Sequence, residues 1–232
     1  MKTISAKKNE DGTGSLTMFG VVGWDEGLTS KDVANALDQV DGVKSLTITV
    51  NSNGGDVFEG YGIYNLLNSF DATKRVEIVG AAMSAMSIIA MAGDEIALAD
   101  SGMIMIHDPW TLAAGNAEEM LNTAENLQAH EVLIAKIYHD RTGIDEPTLR
   151  QWMHDETYFS TTATGSVLSA LEHGFATERI ENKKAAMNFA DPLKYCRNAP
   201  NDVASMIESN AEDARMWAKI ERMKAERRRL AG

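Results

Sequence analysis

Cysteine is almost missing from the chain: Cys196 is the single one among 232 residues. One thiol forms neither an internal disulfide framework nor a Cys-rich zinc cluster, and a reducing cytoplasm is the expected setting. Basic residues are also short, with 22 Lys and Arg against 34 Asp and Glu, a formal net charge of −12. That balance argues against a nucleic-acid binder and against a polybasic membrane patch, and leaves a peptide or small molecule as the expected partner. Long apolar runs are missing too. The longest uncharged stretch, Ile78 to Gly93, contains Gly80, Ser84 and Ser87 and is too short and polar to cross a membrane, so buried core is expected there. The charged start, from Met1 to Glu10, has no apolar run behind it and does not read as a secretory signal.

The sequence also lacks Gly-x-x-x-x-Gly-Lys-Ser/Thr, a Gly-x-Gly-x-x-Gly after a strand, His-Glu-x-x-His and a Gly-x-Ser-x-Gly elbow. Nucleotide and zinc chemistry therefore have little support, and no cofactor or metal is expected.

What is present reads as strand-helix-strand units. Strand-like runs cover Leu16 to Val22, Leu46 to Val50, Val76 to Val79, Ile96 to Ala99 and Met103 to His107. Between them, Ser30 is placed to cap a helix holding Val33, Ala36 and Leu37, and Asp56 one holding Val57, Tyr61, Tyr64 and Leu67. Such alternation requires crossovers, so the expected class is α/β with a mainly parallel sheet covered by helices. A longer helix is expected from Ala117 to Tyr138, started by Gly115-Asn116; Pro147 opens a short one, and Glu156 to Ser160 is extended. Asp191-Pro192 and Asn198-Ala199-Pro200 interrupt the pattern. Residues 1–190 are thus expected to form one domain, and residues 191–232 a helical tail of mixed charge, for assembly or partner contact.

Three segments sit where a strand meets a turn or a helix, the place where α/β folds put their sites. In Asn51-Ser52-Asn53-Gly54-Gly55-Asp56, glycines permit a sharp turn and bring bare N–H groups toward a ligand, as an oxyanion hole requires. In Gly80-Ala81-Ala82-Met83-Ser84-Ala85-Met86-Ser87, a serine stands at a helix start among small neighbours, which makes Ser84 a candidate nucleophile and Ser87, one turn on, a fallback. In Met103 to Trp110, an apolar strand ends in His107, a candidate base. Taken one at a time, the same residues also fit an ordinary turn, a helix cap and a buried structural histidine. Asp108 is adjacent to His107 and should point to the opposite face, so a remote carboxylate is needed; Glu156 is the candidate and Asp155 its rival.

Together the segments resemble the Clp protease proteolytic-subunit family, most of all the ClpP-like head maturation proteases of tailed bacteriophages. The resemblance runs from about Gly20 to Ile180. Asn51-Ser52-Asn53-Gly54-Gly55 is similar to the family's Asn-Ser-Pro/x-Gly-Gly turn, Ser84 to its nucleophile, and Met105-Ile106-His107-Asp108-Pro109-Trp110 to its Met-Ile-His-x-Pro motif. Glu156 falls in the acid-bearing segment, where Clp peptidases usually carry Asp and phage relatives often Glu. Departures are Met83 in place of an alanine, Asn53 in place of the proline, and Thr161-Thr162-Ala163-Thr164-Gly165 in place of a helical Ala-Glu-Glu-Ala pattern.

The resemblance implies the ββα spiral shared by Clp peptidases and crotonases, and a homo-oligomeric ring. It also implies a Ser84-His107-Glu156 triad whose oxyanion is held by Gly54 or Gly55 and by Ala85. The expected activity is a serine endopeptidase that processes phage capsid or scaffold protein in the host cytoplasm. Three alternatives stay open: a general ClpP-type peptidase fed by an ATP-driven unfoldase, a crotonase-like acyl-CoA enzyme, and a non-enzymatic assembly scaffold.

Overall fold

The computed structural model describes residues 2–23 and 26–180. The expected helical tail over 191–232, with Cys196, lies outside the described residues.

The chain opens with strands β1 (Thr3–Lys8) and β2 (Thr13–Phe19), which pair antiparallel. Helix α1 (Ser30–Asp38) follows, then β3 (Ser45–Ser52), α2 (Val57–Ser69), β4 (Thr73–Met83), the short α3 (Ala85–Ala90), β5 (Glu95–Ala99) and β6 (Met103–Ile106). The long α4 (Ala117–Thr142), α5 (Glu146–His154), β7 (Thr157–Ser160), β8 (Leu168–Ser169) and β9 (Glu178–Ile180) complete the described chain. Strands β2, β3, β4, β5 and β6 run parallel, as the alternating pattern requires, and β7 pairs antiparallel to β6.

The sheet forks at β4. Its first half, Arg75 to Ile78, pairs with β5, and its last three residues, Ala81 to Met83, pair with β6. The sequence pattern ends this strand at Val79, because Gly80, Ala81 and Ala82 have low strand propensity. The strand continues because both its neighbours and the residues above and below are buried, and small side chains suit a backbone covered on both faces. The fork carries the chain from the sheet centre straight into the turn that holds Ser84.

Helix ends follow side-chain chemistry. Asp56 caps α2 by accepting from the N–H groups of Phe58 and Glu59, as expected. Helix α1 is capped by Thr29 rather than Ser30: Thr29 and Asp32 form a reciprocal box, each side chain accepting from the other's backbone N–H. Asn116 and Glu119 form the same box at the start of α4, and Gly143 ends that helix at φ 73, a left-handed conformation that glycine adopts without strain.

The core lies between the sheet and its helices. Ile48, Ile78, Ile89 and Ile104 are all fully buried, each removal from water contributing about 1.5–3 kcal/mol. The Ile78–Gly93 stretch is part of this core, and among the described residues no helix is long and apolar enough to cross a membrane. Helix α4 joins the core only toward its C-terminal end, through Ile134, Ala135 and Tyr138, while Leu121, Val132 and Leu133 stay exposed.

Candidate active site

Ser84 occupies the single residue between β4 and α3. Its backbone is at φ 53, ψ −126, a region costing a non-glycine residue about 1–3 kcal/mol. Ser84 takes the N-cap position of α3, yet its side chain caps nothing. The hydroxyl lies instead 2.6 Å from His107 Nε2. The turn is held from outside: Ser84 N–H donates to Met105 O at 2.9 Å, so β6 grips the residue just beyond its own pairing with β4.

His107 is the first residue after β6. In the register of β6 against β7, Ile106 faces Thr157, and His107 and Glu156 are the residues that adjoin this last pair. Glu156 has φ 52, a kink between the end of α5 and the start of β7. Burial holds the His107 imidazole below its ordinary range, while the negative charges of Glu156 and Asp108 act in the opposite direction. Burial thus favours the neutral ring, the state in which Nε2 accepts a proton from a hydroxyl. The rival Asp155 is exposed and its carboxylate accepts from Gln151 Nε2, on the flank of α5. Asp108 takes a third course, accepting from His154 Nδ1 at 3.1 Å.

The glycine turn packs directly on this serine. A methyl group on Gly54 would stand 2.5 Å from Met83 O, 2.6 Å from Ser84 Cβ and 2.9 Å from Ala85 N, and Gly54 has φ +88. Only glycine fits there. The two glycines nevertheless differ as donors, because Gly54 N–H already donates to Ser52 Oγ at 3.0 Å. Gly55 N–H and Ala85 N–H donate to no acceptor among the described residues. Of the two glycines expected as alternatives for the oxyanion role, Gly55 has the N–H with no acceptor among the described residues, and Gly54 supplies the close approach. Asn51 ties the turn to the strand beside it, its Oδ1 accepting from Ala81 N–H at 3.1 Å where the β3–β4 register shifts.

Ser87, the fallback nucleophile, is fully buried. Its hydroxyl donates to Ser84 O at 2.6 Å and lies 2.8 Å from Tyr138 OH, so it faces away from His107 toward α4. Sequence reasoning did not single out Tyr138 beyond its place in the α4 pattern; no motif marks it, and only the packing of α4 on α3 brings it here. Among the other histidines, His130 stacks on Tyr61, His139 Nδ1 bonds to Ile144 O, and His173 packs on Trp152. A hollow between β1 and α1, lined by Ile4, Asp32, Asn35 and Gln39, includes none of these residues. Among the described residues no cluster of metal-binding side chains occurs.

The arrangement is a hydroxyl on a strained turn, an imidazole in hydrogen-bond contact with it, a carboxylate whose charge reaches the ring, and a glycine turn packed on the serine with N–H groups of Gly55 and Ala85 that have no acceptor among the described residues. It can activate an oxygen nucleophile and stabilise a developing oxyanion.

Comparison with known proteins agrees with this chemistry. The Clp protease family model matches residues 29–183. The ATP-dependent Clp protease proteolytic subunit of Ligilactobacillus salivarius is 30% identical over 168 residues, covering 68% of this chain and 82% of that protein. The subunit of the same name from Oltmannsiellopsis viridis is 37% identical over 103 residues, 43% of this chain and 52% of that one, so the chain spans about half that relative's length. A ClpP1 point mutant from Listeria monocytogenes shares the fold, with a TM-score of 0.61 at 22% identity over 73% of this chain and 92% of that one. By the match of its family model over most of the described residues, the chain belongs to the Clp protease family, as a serine peptidase of the ClpP type.

Proposed function

We propose that the chain is an endopeptidase in which Ser84 is the nucleophile, His107 the general base and then acid, and Glu156 the residue that orients and balances the imidazolium. The observation that carries this reading is the 2.6 Å contact between Ser84 Oγ and His107 Nε2. Ser84 Oγ attacks the scissile carbonyl as its proton passes to His107 Nε2. The carbonyl oxygen becomes an oxyanion, accepted by the N–H groups of Gly55 and Ala85; His107 then returns the proton to the leaving amine, and water repeats the sequence on the acyl-serine. Each oxyanion donor contributes about 3 kcal/mol to the transition state, roughly a hundredfold in rate.

The substrate is a polypeptide, and the active form a homo-oligomeric ring. The apolar side chains exposed along α4, Leu121, Val132 and Leu133, support assembly. The glutamate at 156, where phage relatives often carry Glu, favours a phage-type enzyme that processes a capsid or scaffold protein. A second reading follows from the relatives, which are named ATP-dependent: a peptidase supplied by an unfoldase.

Intact-mass analysis after fluorophosphonate treatment tests the nucleophile. One adduct on the native protein, lost in Ser84→Ala, is expected; an adduct that persists in Ser84→Ala refutes the assignment. Co-expression with a capsid or scaffold protein separates the two substrate readings. Cleavage at one defined position without ATP supports processing, whereas degradation that requires an unfoldase and ATP supports the second reading.

A further inference from the structure

We propose that Ser87 and Tyr138 are positioning residues that aim the Ala85 N–H at the substrate's carbonyl oxygen by gripping the opposite edge of the Ser84–Ala85 peptide. The proposal rests on the reading of Ser84 as nucleophile and Ala85 as oxyanion donor.

A trans peptide is planar, with its C=O and N–H antiparallel, so whatever fixes the carbonyl direction also fixes the N–H direction. The chain has no cis peptide among its described residues. Ser84 O accepts from three groups: Ser87 Oγ at 2.6 Å, Ser87 N at 2.9 Å and Ile88 N at 3.4 Å. The two N–H contacts are what any helical turn supplies. The hydroxyl contact is the shortest and the only one that depends on a side chain.

Donor bookkeeping gives the chain a direction. A carbonyl only accepts, so the single Ser87 hydroxyl proton points at Ser84 O. The bond between Ser87 Oγ and Tyr138 OH, 2.8 Å, must then be donated by Tyr138. Both side chains are buried, Ser87 at 0% and Tyr138 at 1% exposure, so water does not compete for either proton. Burial also raises the Tyr138 phenol well above its ordinary range, which keeps it a donor at every working pH. Two hydroxyls in series polarise the Ser84 carbonyl, and a polarised peptide is a stronger N–H donor. The pair thus sets both the aim and the strength of the Ala85 N–H. It also restrains ψ of Ser84, the angle that the strained turn would otherwise relax.

The test compares Ser87→Ala, Tyr138→Phe and the double variant on a peptide substrate, in the full-length protein. Removing an oxyanion donor outright costs a hundredfold or more, and misaiming one costs less. Ser87→Ala is expected to lower kcat about tenfold with KM within twofold, and Tyr138→Phe about threefold. Because Tyr138 acts through the Ser87 hydroxyl, the double variant should match Ser87→Ala. A peptide aldehyde, whose serine adduct carries an oxyanion, should bind more weakly by the same factor as kcat, while a product peptide binds unchanged. A merely structural role would move KM and product affinity together with kcat.

An unchanged kcat in Ser87→Ala, with activity abolished in Ser84→Ala, overturns the proposal and leaves the nucleophile assignment standing. Activity surviving in Ser84→Ala overturns that assignment instead. Losses that multiply in the double variant overturn the serial arrangement. Should Ser87→Ala fail to fold, Tyr138→Phe, which removes one oxygen, decides on the same split between kcat and KM.

Discussion

Replacing Gly54 by alanine isolates the contact between the glycine turn and Ser84. The added methyl meets Met83 O at 2.5 Å and Ala85 N at 2.9 Å, both main-chain atoms that cannot rotate aside, and Ser84 Cβ at 2.6 Å. The positive φ of +88 adds about 1–2 kcal/mol of backbone strain. Overpacking against fixed backbone adds about 1–3 kcal/mol. Reduced freedom of the unfolded chain returns about 0.4–1 kcal/mol. The net destabilisation is roughly 2–4 kcal/mol, which lowers Tm by about 5–15 °C for a chain of this size. Gly12→Ala provides the control, since Gly12 has φ +82 with nothing within 4 Å of the added methyl. Its cost is the same strain less the same return from the unfolded chain, about 1 kcal/mol. Thermal melts followed by circular dichroism give the stability, and the rate of fluorophosphonate labelling gives the geometry of Ser84. Gly54→Ala should melt several degrees below Gly12→Ala and label more than tenfold slower. Equal melting of the two variants would mean that the turn does not press on Ser84, and the account of Gly54 would fall.

Ser84→Gly and Ser84→Ala should both lose peptidase activity, but the glycine variant should be the more stable by about 1 kcal/mol, because φ 53 strains alanine; denaturant titration showing the reverse order would remove the strain argument. Glu156→Gln should lower kcat and move the acidic limb of the kcat/KM profile to lower pH. The sign follows from the Glu156 charge, which raises the His107 pKa against the lowering by burial, so removing it lets the imidazole stay neutral further into acid. A limb that moves upward or stays in place would refute that electrostatic link. Asn116→Ala removes the capping box of α4 and costs about 1 kcal/mol locally. Because the first turns of α4 are exposed, hydrogen exchange near Glu118 and Glu119 should quicken while global Tm hardly changes; a large Tm shift would place that end of α4 in the cooperative core.

The parallel strands were legible because their apolar runs are short, β-rich and separated by helical periods. Strand β1 was not, since Thr3–Lys8 is an edge strand whose Ile4 and Ala6 are only half buried among lysines. The Thr29 cap was missed because its partner three residues on is Asp32, outside the usual Glu/Gln box. At the site, the Gly-Gly turn, Ser84 and His107 stood out by type and position. Which glycine N–H is free did not, because a third side chain, Ser52, decides it. Asp155 and Glu156 are adjacent and alike in the sequence; what separates them is that Asp155 bonds to Gln151 on α5 while the charge of Glu156 acts on His107, and neither relation is written in one strand's sequence. Ser87 and Ser84, three apart, are equivalent in pattern, and only the opposite directions of their hydroxyls separate them.

Helix α4 has a mechanical consequence. From its start to Ile134, where burial begins, it runs about 25 Å at 1.5 Å per residue, and Tyr138 lies about 6 Å further on. Before it enters the core, α4 is already tied on two sides: His130 stacks on Tyr61 of α2, and Glu131 accepts from Arg150 of α5. A push on the exposed tip is therefore borne first by these surface ties, upstream of the phenol, so the hold on the Ser84 carbonyl is buffered by contacts that take no part in it.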